Sequence, residues 1–321
     1  MSVVRQASPD PLRNLIASRM SIPYPAYENL VGAERHAAYS LAQGEAAWRA
    51  ATGTFALIES NRPVAAAAWR HLPWDSGMFG FPAGRLEMLL ATGSYAEARL
   101  RAPQVLASVV SDCARQGIRH LTARVDPRDY ASLHTLQAAG FELIDGIQTF
   151  ALPVTAGISR EFPAGTRLFE PADLDAVVEI GRTSFVYDRF HNDPFLPKAT
   201  SDYLHGVWTE NCCLGKAADA VIVAEREGRI AGYATVKVDA AAKQGLGVSI
   251  ATIILVATAG WARRSGCARD VTLGTLAWCA REQVESVEVG TQISNVPAGR
   301  AYEARGFRIS GVSLTLRKVF T

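Results

Sequence analysis

The chain repeats its own order of elements, and this constrains its fold more than any other feature. AAGFELIDGIQTFAL (138–152) and ARGFRISGVSLTLRK (304–318) align at Gly140-Phe141 and Gly306-Phe307. The same succession leads up to each: hairpin, strand, helix, strand, short helix, strand. In the first pass the alternating runs FALIES (55–60) and PVAAAAWRHL (63–72) meet at Asn61-Arg62 as a hairpin. GRLEMLL (84–90) is a strand, 95–117 has helical spacing and stops at Gly117, HLTARVD (120–126) is a strand, and 130–141 is a short helix before the strand 141–154. The second pass has a helix over 171–182 and a hairpin, 220–226 and 229–238, around Glu227-Gly228. The apolar strand SIATIILV (249–256), a helix near 265–283, the strand 284–292, a short helix after Asn295 and a last strand over 308–320 follow. A repeat of this kind predicts two similar α/β domains, each with a mixed sheet. The spacer ISREFPAG (158–165) sets the expected halves at 1–154 and 155–321, with an Ala/Glu/Arg-rich helical extension at 30–51. Nothing in the repeat accounts for residues 1–50.

A length of 321 residues is comfortable for two domains, and 49% apolar residues give each a core. The net charge of +2 is nearly balanced and there is no long basic run, which argues against nucleic acid as a partner. The five cysteines, Cys113, Cys212, Cys213, Cys267 and Cys279, include no CxxC pair. They read as reduced thiols of a cytoplasmic chain without a zinc site, and no metal is expected. No apolar run reaches membrane-spanning length, and the first residues lack the apolar core of a signal peptide.

Chemistry concentrates in the second half. WARRSGCARD (261–270) joins the apolar strand to the next helix and contains Arg263-x-x-Gly266-x-Ala268. Small residues let the backbone approach a ligand, and a helix start offers free N–H groups with the positive end of its dipole, as a pyrophosphate requires. Arg263 and Arg264 add charge-assisted contacts; by itself the run also reads as a basic turn. One strand later comes NVPAGRAYEARGF (295–307), with Asn295 opening a short helix and Tyr302 near its end. Tyr302 reads either as an acid or as a core aromatic.

Loop, strand and short helix together resemble the GNAT N-acetyltransferase superfamily. The resemblance implies a tandem GNAT fold, a degenerate first domain and a catalytic second one, with acetyl-CoA as cosubstrate. It implies that Leu255, Val256, Arg263, Arg264, Ser265, Gly266, Cys267, Ala268 and Asn295 contact that cofactor, and that Tyr302 protonates the departing CoA thiolate. Ala268 stands where the family motif more often has Gly, and the loop is a residue or two longer than the family pattern. Sliding the two copies together puts Leu136 at the place of Tyr302 and Asp129 at that of Asn295. ATGSYAEARLRAP (91–103) has no phosphate motif, so the first copy is expected to have lost the cofactor site.

LPWDSGMFGF (72–81), SFVYDRFHNDPFLPKATSDYLHGVWTENC (184–212) and VGTQISNVPAGRAYEARGF (289–307) are similar to the dTDP-fucosamine N-acetyltransferase branch of that superfamily. That branch implies a nucleotide-linked 4-amino-6-deoxysugar as the amine acceptor, with Tyr187, Arg189, Phe190, His191 and Trp208 expected to bind it. His191, Asp193 and Glu225 are the candidate bases for the amine. A homodimer is compatible with the sequence. An amino acid, polyamine or antibiotic amine as acceptor, or CoA binding without turnover, are the competing expectations.

Overall fold

The computed structural model describes residues 2–320. The chain divides into two compact units, Met1–Ile147 with Val312–Thr321, and Gln148–Gly311. The division differs from a cut after residue 154, because the strand that ends each sequence repeat, β6 (Glu142–Pro153) or β12 (Arg308–Val319), has residues on both sides of it.

In the first unit the elements are β1 (Ser2–Arg5), α1 (Arg13–Ala17), α2 (Glu28–Val31), α3 (Ala33–Arg49), β2 (Gly53–Glu59), β3 (Arg62–His71), α4 (Pro73–Phe79), β4 (Ala83–Ala91), α5 (Tyr95–Arg115), β5 (His120–Val125) and α6 (Tyr130–Ala138). The strand order is β1-β2-β3-β4-β5-β12, parallel between β4 and β5 and antiparallel in the other registered pairs. The hairpin turn is Ser60-Asn61, one residue earlier than the sequence suggests, and both residues take positive φ. The alanine run of β3 makes both sheet faces tight. Ala65, Ala67 and Trp69 pack with Val105, Leu106 and Val109 of α5. Ala66 and Ala68 pack with Leu12, Ile16 and Trp48. The first fifty residues therefore supply an edge strand and the helices that cover the second face. They have no counterpart in the second copy, which is why the repeat gave them no role.

The second unit contains β7 (Thr166–Leu168), α7 (Leu174–Ser184), α8 (Lys198–Cys213), β8 (Ala220–Arg226), β9 (Arg229–Val238), α9 (Ala240–Leu246), β10 (Ile250–Thr258), α10 (Cys267–Arg281), β11 (Ser286–Gln292) and α11 (Val296–Glu303). The strand order is β6-β11-β10-β9-β8-β7. Two neighbours on β9 show how the faces divide. A Cβ on Gly232 would stand 2.6 Å from Cys267 Sγ of α10, so that helix sits directly on the strand. Tyr233, on the other face, meets Thr209 of α8 through its hydroxyl at 2.7 Å. The α8 helix takes up the second half of the stretch 184–212, and Trp208, expected to bind the acceptor, lies on it; its Pro-bounded start and small, polar residues hide the helical period.

Gly140 and Gly306, aligned by the repeat, both adopt left-handed φ, +80° and +89°, between a short helix and a strand. An L side chain is strained there, which accounts for glycine at this point in both copies.

Candidate active site

The parallel strands β10 and β11 pair only from Ile250–Ile253 opposite Ser286–Val289, yet β10 runs to Thr258 and β11 to Gln292. Beyond Ile253 the β10–β11 ladder ends, so the strands part there and the β10 edge from 254 onward has no registered β11 partner among the described residues. A bulge in the β9–β10 register accompanies the parting: Ile253 faces Val236, Leu255 faces Thr235, and Ile254 is the extra residue. The Leu255 N–H donates to the Thr235 hydroxyl at 3.1 Å instead of to a β9 carbonyl. An unpaired strand edge of this kind can add an extended, amide-bearing ligand arm as a further strand.

At the open end of β10 the chain makes a short 3-10 turn, passes Arg264 at φ +66°, and enters α10 through Gly266 at φ +81°. No side chain caps α10. Among the described residues the N–H groups of Gly266, Cys267, Ala268 and Arg269 have no acceptor. Arg263 and Arg264 are exposed beside them. The Ser265 hydroxyl turns back onto the Ala262 carbonyl. Cys267 is buried, and burial raises its thiol pKa, so it stays a neutral thiol that offers only its N–H. Asp270, one turn in, is held by Arg226 and by Arg269 at 2.7 Å and leaves the helix start open.

The corresponding helix of the first unit is closed. Ser94 caps α5, and Glu97 folds back so that its carboxylate accepts from the Ser94 N–H at 2.7 Å and the Ser94 hydroxyl at 2.9 Å. This capping box puts a carboxylate where an incoming phosphate would need free N–H groups. One helix N-terminus is satisfied from within and its counterpart is left unsatisfied.

The short helix α11 follows β11. Asn295 is its N-cap: the side-chain oxygen accepts from the Ala298 N–H at 3.3 Å and the amide donates to Thr291 at 3.1 Å. Asp129 does the same for α6, accepting from Ser132 at 3.0 Å. The alignment of Asn295 with Asp129 therefore reflects a shared cap, and the Asn295 side chain is already occupied locally. Tyr302 lies 7% exposed between Phe150 and Phe307, with ring centroids 5.8 Å away on both sides. It shares an apolar cluster with Ile253 and Val289, the last paired residues before the strands part, and Val256, past the end of that pairing, packs against the cluster. Its hydroxyl has no hydrogen-bond partner among the described residues, and burial, partly offset by Arg305, pushes its pKa up to about 12. It is a core aromatic with a neutral phenol, in the cluster that holds the last paired residues of β10 and β11.

The segment 185–205 forms a tight ionic knot. The Asp188 carboxylate accepts from His191 Nδ1 at 2.5 Å and lies 3.1 Å from His205 Nε2; His191 Nε2 meets Asp202 at 2.9 Å. Burial opposes ionisation of Asp188, but the two histidines overcome it and hold its pKa well below the usual carboxylate range. Burial likewise opposes charge on His191, and Asp188 and Asp202 together raise its pKa. Both His191 nitrogens are thus engaged. Asp188, His191 and His205 also bring ligand-type atoms within 4.8 Å of one another, a grouping that the sequence, lacking any metal spacing, does not reveal. Phe190 is buried, with the Arg189 guanidinium 4.0 Å over its ring. Tyr187 is exposed and Trp208 half-buried, stacked 6.0 Å from His205. Asp193 is buried, and Glu225 is tied to Arg167 at 2.8 Å.

Glu288 escaped sequence reasoning. It sits mid-strand on β11, 8% exposed, with Oε1 buried and without a hydrogen-bond partner. Burial alone raises its pKa to about 7. VESVEVGTQ has two glutamates, Glu285 and Glu288, and nothing local marks one of them as buried; only the packed structure shows it.

Residues 183–307 match the Acetyltransferase (GNAT) family model. The chain is 31% identical over 139 residues to the spore coat polysaccharide biosynthesis protein SpsD of Bacillus subtilis, covering 43% of this chain and 45% of that protein. This chain thus spans less than half the length of that relative. It is 22% identical over 246 residues to the dTDP-fucosamine acetyltransferase of Escherichia coli, covering 76% of this chain and 95% of that protein. A tandem GNAT protein from the clavulanic acid biosynthesis pathway shares the fold at a TM-score of 0.57 and 15% identity, over 99% of this chain and 98% of that one. A GCN5-related N-acetyltransferase from Sphaerobacter thermophilus does so at 0.59 and 14% identity, over 99% and 95%. The fold is a tandem GNAT fold. Within it the stretch 183–307 is similar to the GNAT acetyltransferase family, which uses acetyl-CoA. Among the described residues no helix is long and apolar enough to cross a membrane.

Proposed function

We propose that the second unit transfers the acetyl group of acetyl-CoA to the amine of a nucleotide-linked 4-amino-6-deoxysugar, in the cytoplasm, and that the first unit binds no cofactor. The observation that carries this reading is the uncapped N-terminus of α10 at the mouth of the parted strands, opposed to the self-capped α5. In this reading the pyrophosphate rests on the N–H groups of Gly266 to Arg269, flanked by Arg263 and Arg264. The pantetheine arm adds to the β10 edge along Leu255 and Val256, and the Val256 backbone N–H, on the side of the strand away from β9, holds the oxyanion of the tetrahedral intermediate. Tyr302 donates its proton to the departing thiolate. A phenol with its pKa pushed up to about 12 stays protonated through the working pH range; transfer of its proton to a thiolate of ordinary pKa ~8.5 is uphill alone and is driven by the proton that the nitrogen of the collapsing adduct returns to the phenolate.

The dTDP sugar as acceptor is supported by three sequence stretches and by similarity to a dTDP-fucosamine acetyltransferase and a polysaccharide biosynthesis protein. Exposed Tyr187, half-buried Trp208 and Arg189 are the side chains of the 185–208 segment proposed to meet it. His191 and Phe190 shape that segment from within. No metal takes part in this scheme, and a homodimer is compatible with it. The test is calorimetric binding of acetyl-CoA, followed by acetylation assays with dTDP-4-amino-4,6-dideoxygalactose against free amino sugars, polyamines and amino acids. Faster turnover of a nucleotide-free amine would overturn the acceptor assignment.

A further inference from the structure

The scheme above still lacks the group that removes a proton from the amine. Resting on that scheme, we infer that Glu288 is the general base of the acetyl transfer. Successive residues of β11 alternate between sheet faces. Val287 and Val289 pack with Leu276 and Cys279 of α10, so Glu288 lies on the opposite face. Its cross-strand neighbours there are Thr252 of β10 and, one strand further, Lys237 of β9. Lys237 belongs to the same row as Tyr233, whose hydroxyl bonds to α8, so this is the face covered by α7 and α8.

Glu288 pairs in register one residue before the β10–β11 ladder ends, at the root of the cleft proposed for the thioester. Tyr302 belongs to the cluster on the α10 face of the same two strands. Carboxylate and phenol therefore flank the point where the strands part. A buried carboxylate oxygen without a partner is costly and rare unless a ligand or a function completes it. Lys237 is the charged residue aligned with Glu288 on this row, and it is exposed.

The proton balance closes with these groups. The Glu288 carboxylate takes one proton from R–NH3+, directly or through one water. The neutral amine attacks the thioester carbon, the C–N bond forms, and the C–S bond breaks. Tyr302 gives its proton to the CoA thiolate and recovers one from the nitrogen of the collapsing adduct. Glu288 then releases its proton to solvent.

The experiment compares kcat and kcat/KM of wild type, Glu288→Gln and Glu288→Asp from pH 5.5 to 9, with acetyl-CoA and dTDP-4-amino-4,6-dideoxygalactose, alongside calorimetric titration of acetyl-CoA. Wild type is expected to lose activity on the acid side, with a midpoint near the Glu288 pKa of about 7. Glu288→Gln is expected to lower kcat by about 10²–10⁴-fold, to replace the acid limb near pH 7 by a rise that follows the amine's own ionisation, and to leave acetyl-CoA affinity unchanged. Its deficit narrows at high pH, where the amine loses its proton unaided, and Glu288→Asp keeps the limb. A Glu288→Gln enzyme with full rate, or with a uniform loss and the acid limb intact, overturns the assignment while leaving the acetyltransferase reading in place. A wild type that binds acetyl-CoA but acetylates no amine, the panel above included, overturns both.

Discussion

Replacing Glu288 with Gln is expected to stabilise the protein, and by an amount that depends on pH. In the folded state burial raises the carboxyl pKa from its ordinary 4.5 to about 7. A carboxyl raised in this way favours folding only while it is protonated. The wild type therefore loses stability as pH rises from about 4.5 to about 7, at about 1.4 kcal/mol per pH unit, and levels off above that. The span of two and a half units comes to about 3 kcal/mol at pH 8.5. Gln keeps the shape and removes the ionisable group, so the difference between variant and wild type should be small at pH 4.5 and grow to about 3 kcal/mol by pH 8.5. Urea unfolding of both proteins at pH 4.5, 5.5, 7 and 8.5 measures it, with m-values checked for constancy. A difference that does not vary with pH, or a Gln variant less stable at pH 8.5, would refute the claim that Glu288 is held in an environment hostile to its charge.

Other perturbations address the rest of the account. Tyr302→Phe should lower kcat by about 10²–10⁴-fold at unchanged acetyl-CoA affinity, read by thiol release and calorimetry. Glu97→Ala removes the α5 capping box and should cost about 1 kcal/mol in thermal unfolding without altering acetyl-CoA binding. Asp188→Asn should destabilise the 185–205 segment by about 1–3 kcal/mol and expose it to limited proteolysis, because it removes the negative charge that lies 2.5 Å from His191 and 3.1 Å from His205. His191 has a raised folded pKa, so its contribution is complete below its unfolded value of about 6.5 and fades as pH climbs through the folded one. Proteolysis of the wild-type segment should accordingly quicken at higher pH.

The hairpin β8–β9 was legible to the residue because Glu227-Gly228 takes positive φ between two alternating runs. The repeat was legible because Gly140 and Gly306 answer the same backbone demand. The α10 start was legible because Gly266 suits the left-handed turn into the helix. What escaped was whatever depends on partners distant in sequence. The role of residues 1–50 needed the second face of an alanine-rich sheet. The occupation of His191 by Asp188 and Asp202 needed α8, whose helical period is weak. Glu288 looked like a solvent-facing strand residue, because no local pattern reveals a carboxylate buried without a partner. Asn295 showed both sides of the problem: its position was evident, but its service as a cap appears only when the Ala298 N–H is seen on its oxygen.

The central claim is that one helix start in this chain is built to receive a pyrophosphate and its counterpart is sealed. Isothermal titration with acetyl-CoA of wild type and Gly266→Val tests it most directly. A valine at φ +81° strains the turn and narrows the cradle. The account predicts one molecule bound per chain and an affinity at least about tenfold weaker in the variant, about 1.4 kcal/mol. Two molecules per chain, or an affinity indifferent to Gly266→Val, would contradict it.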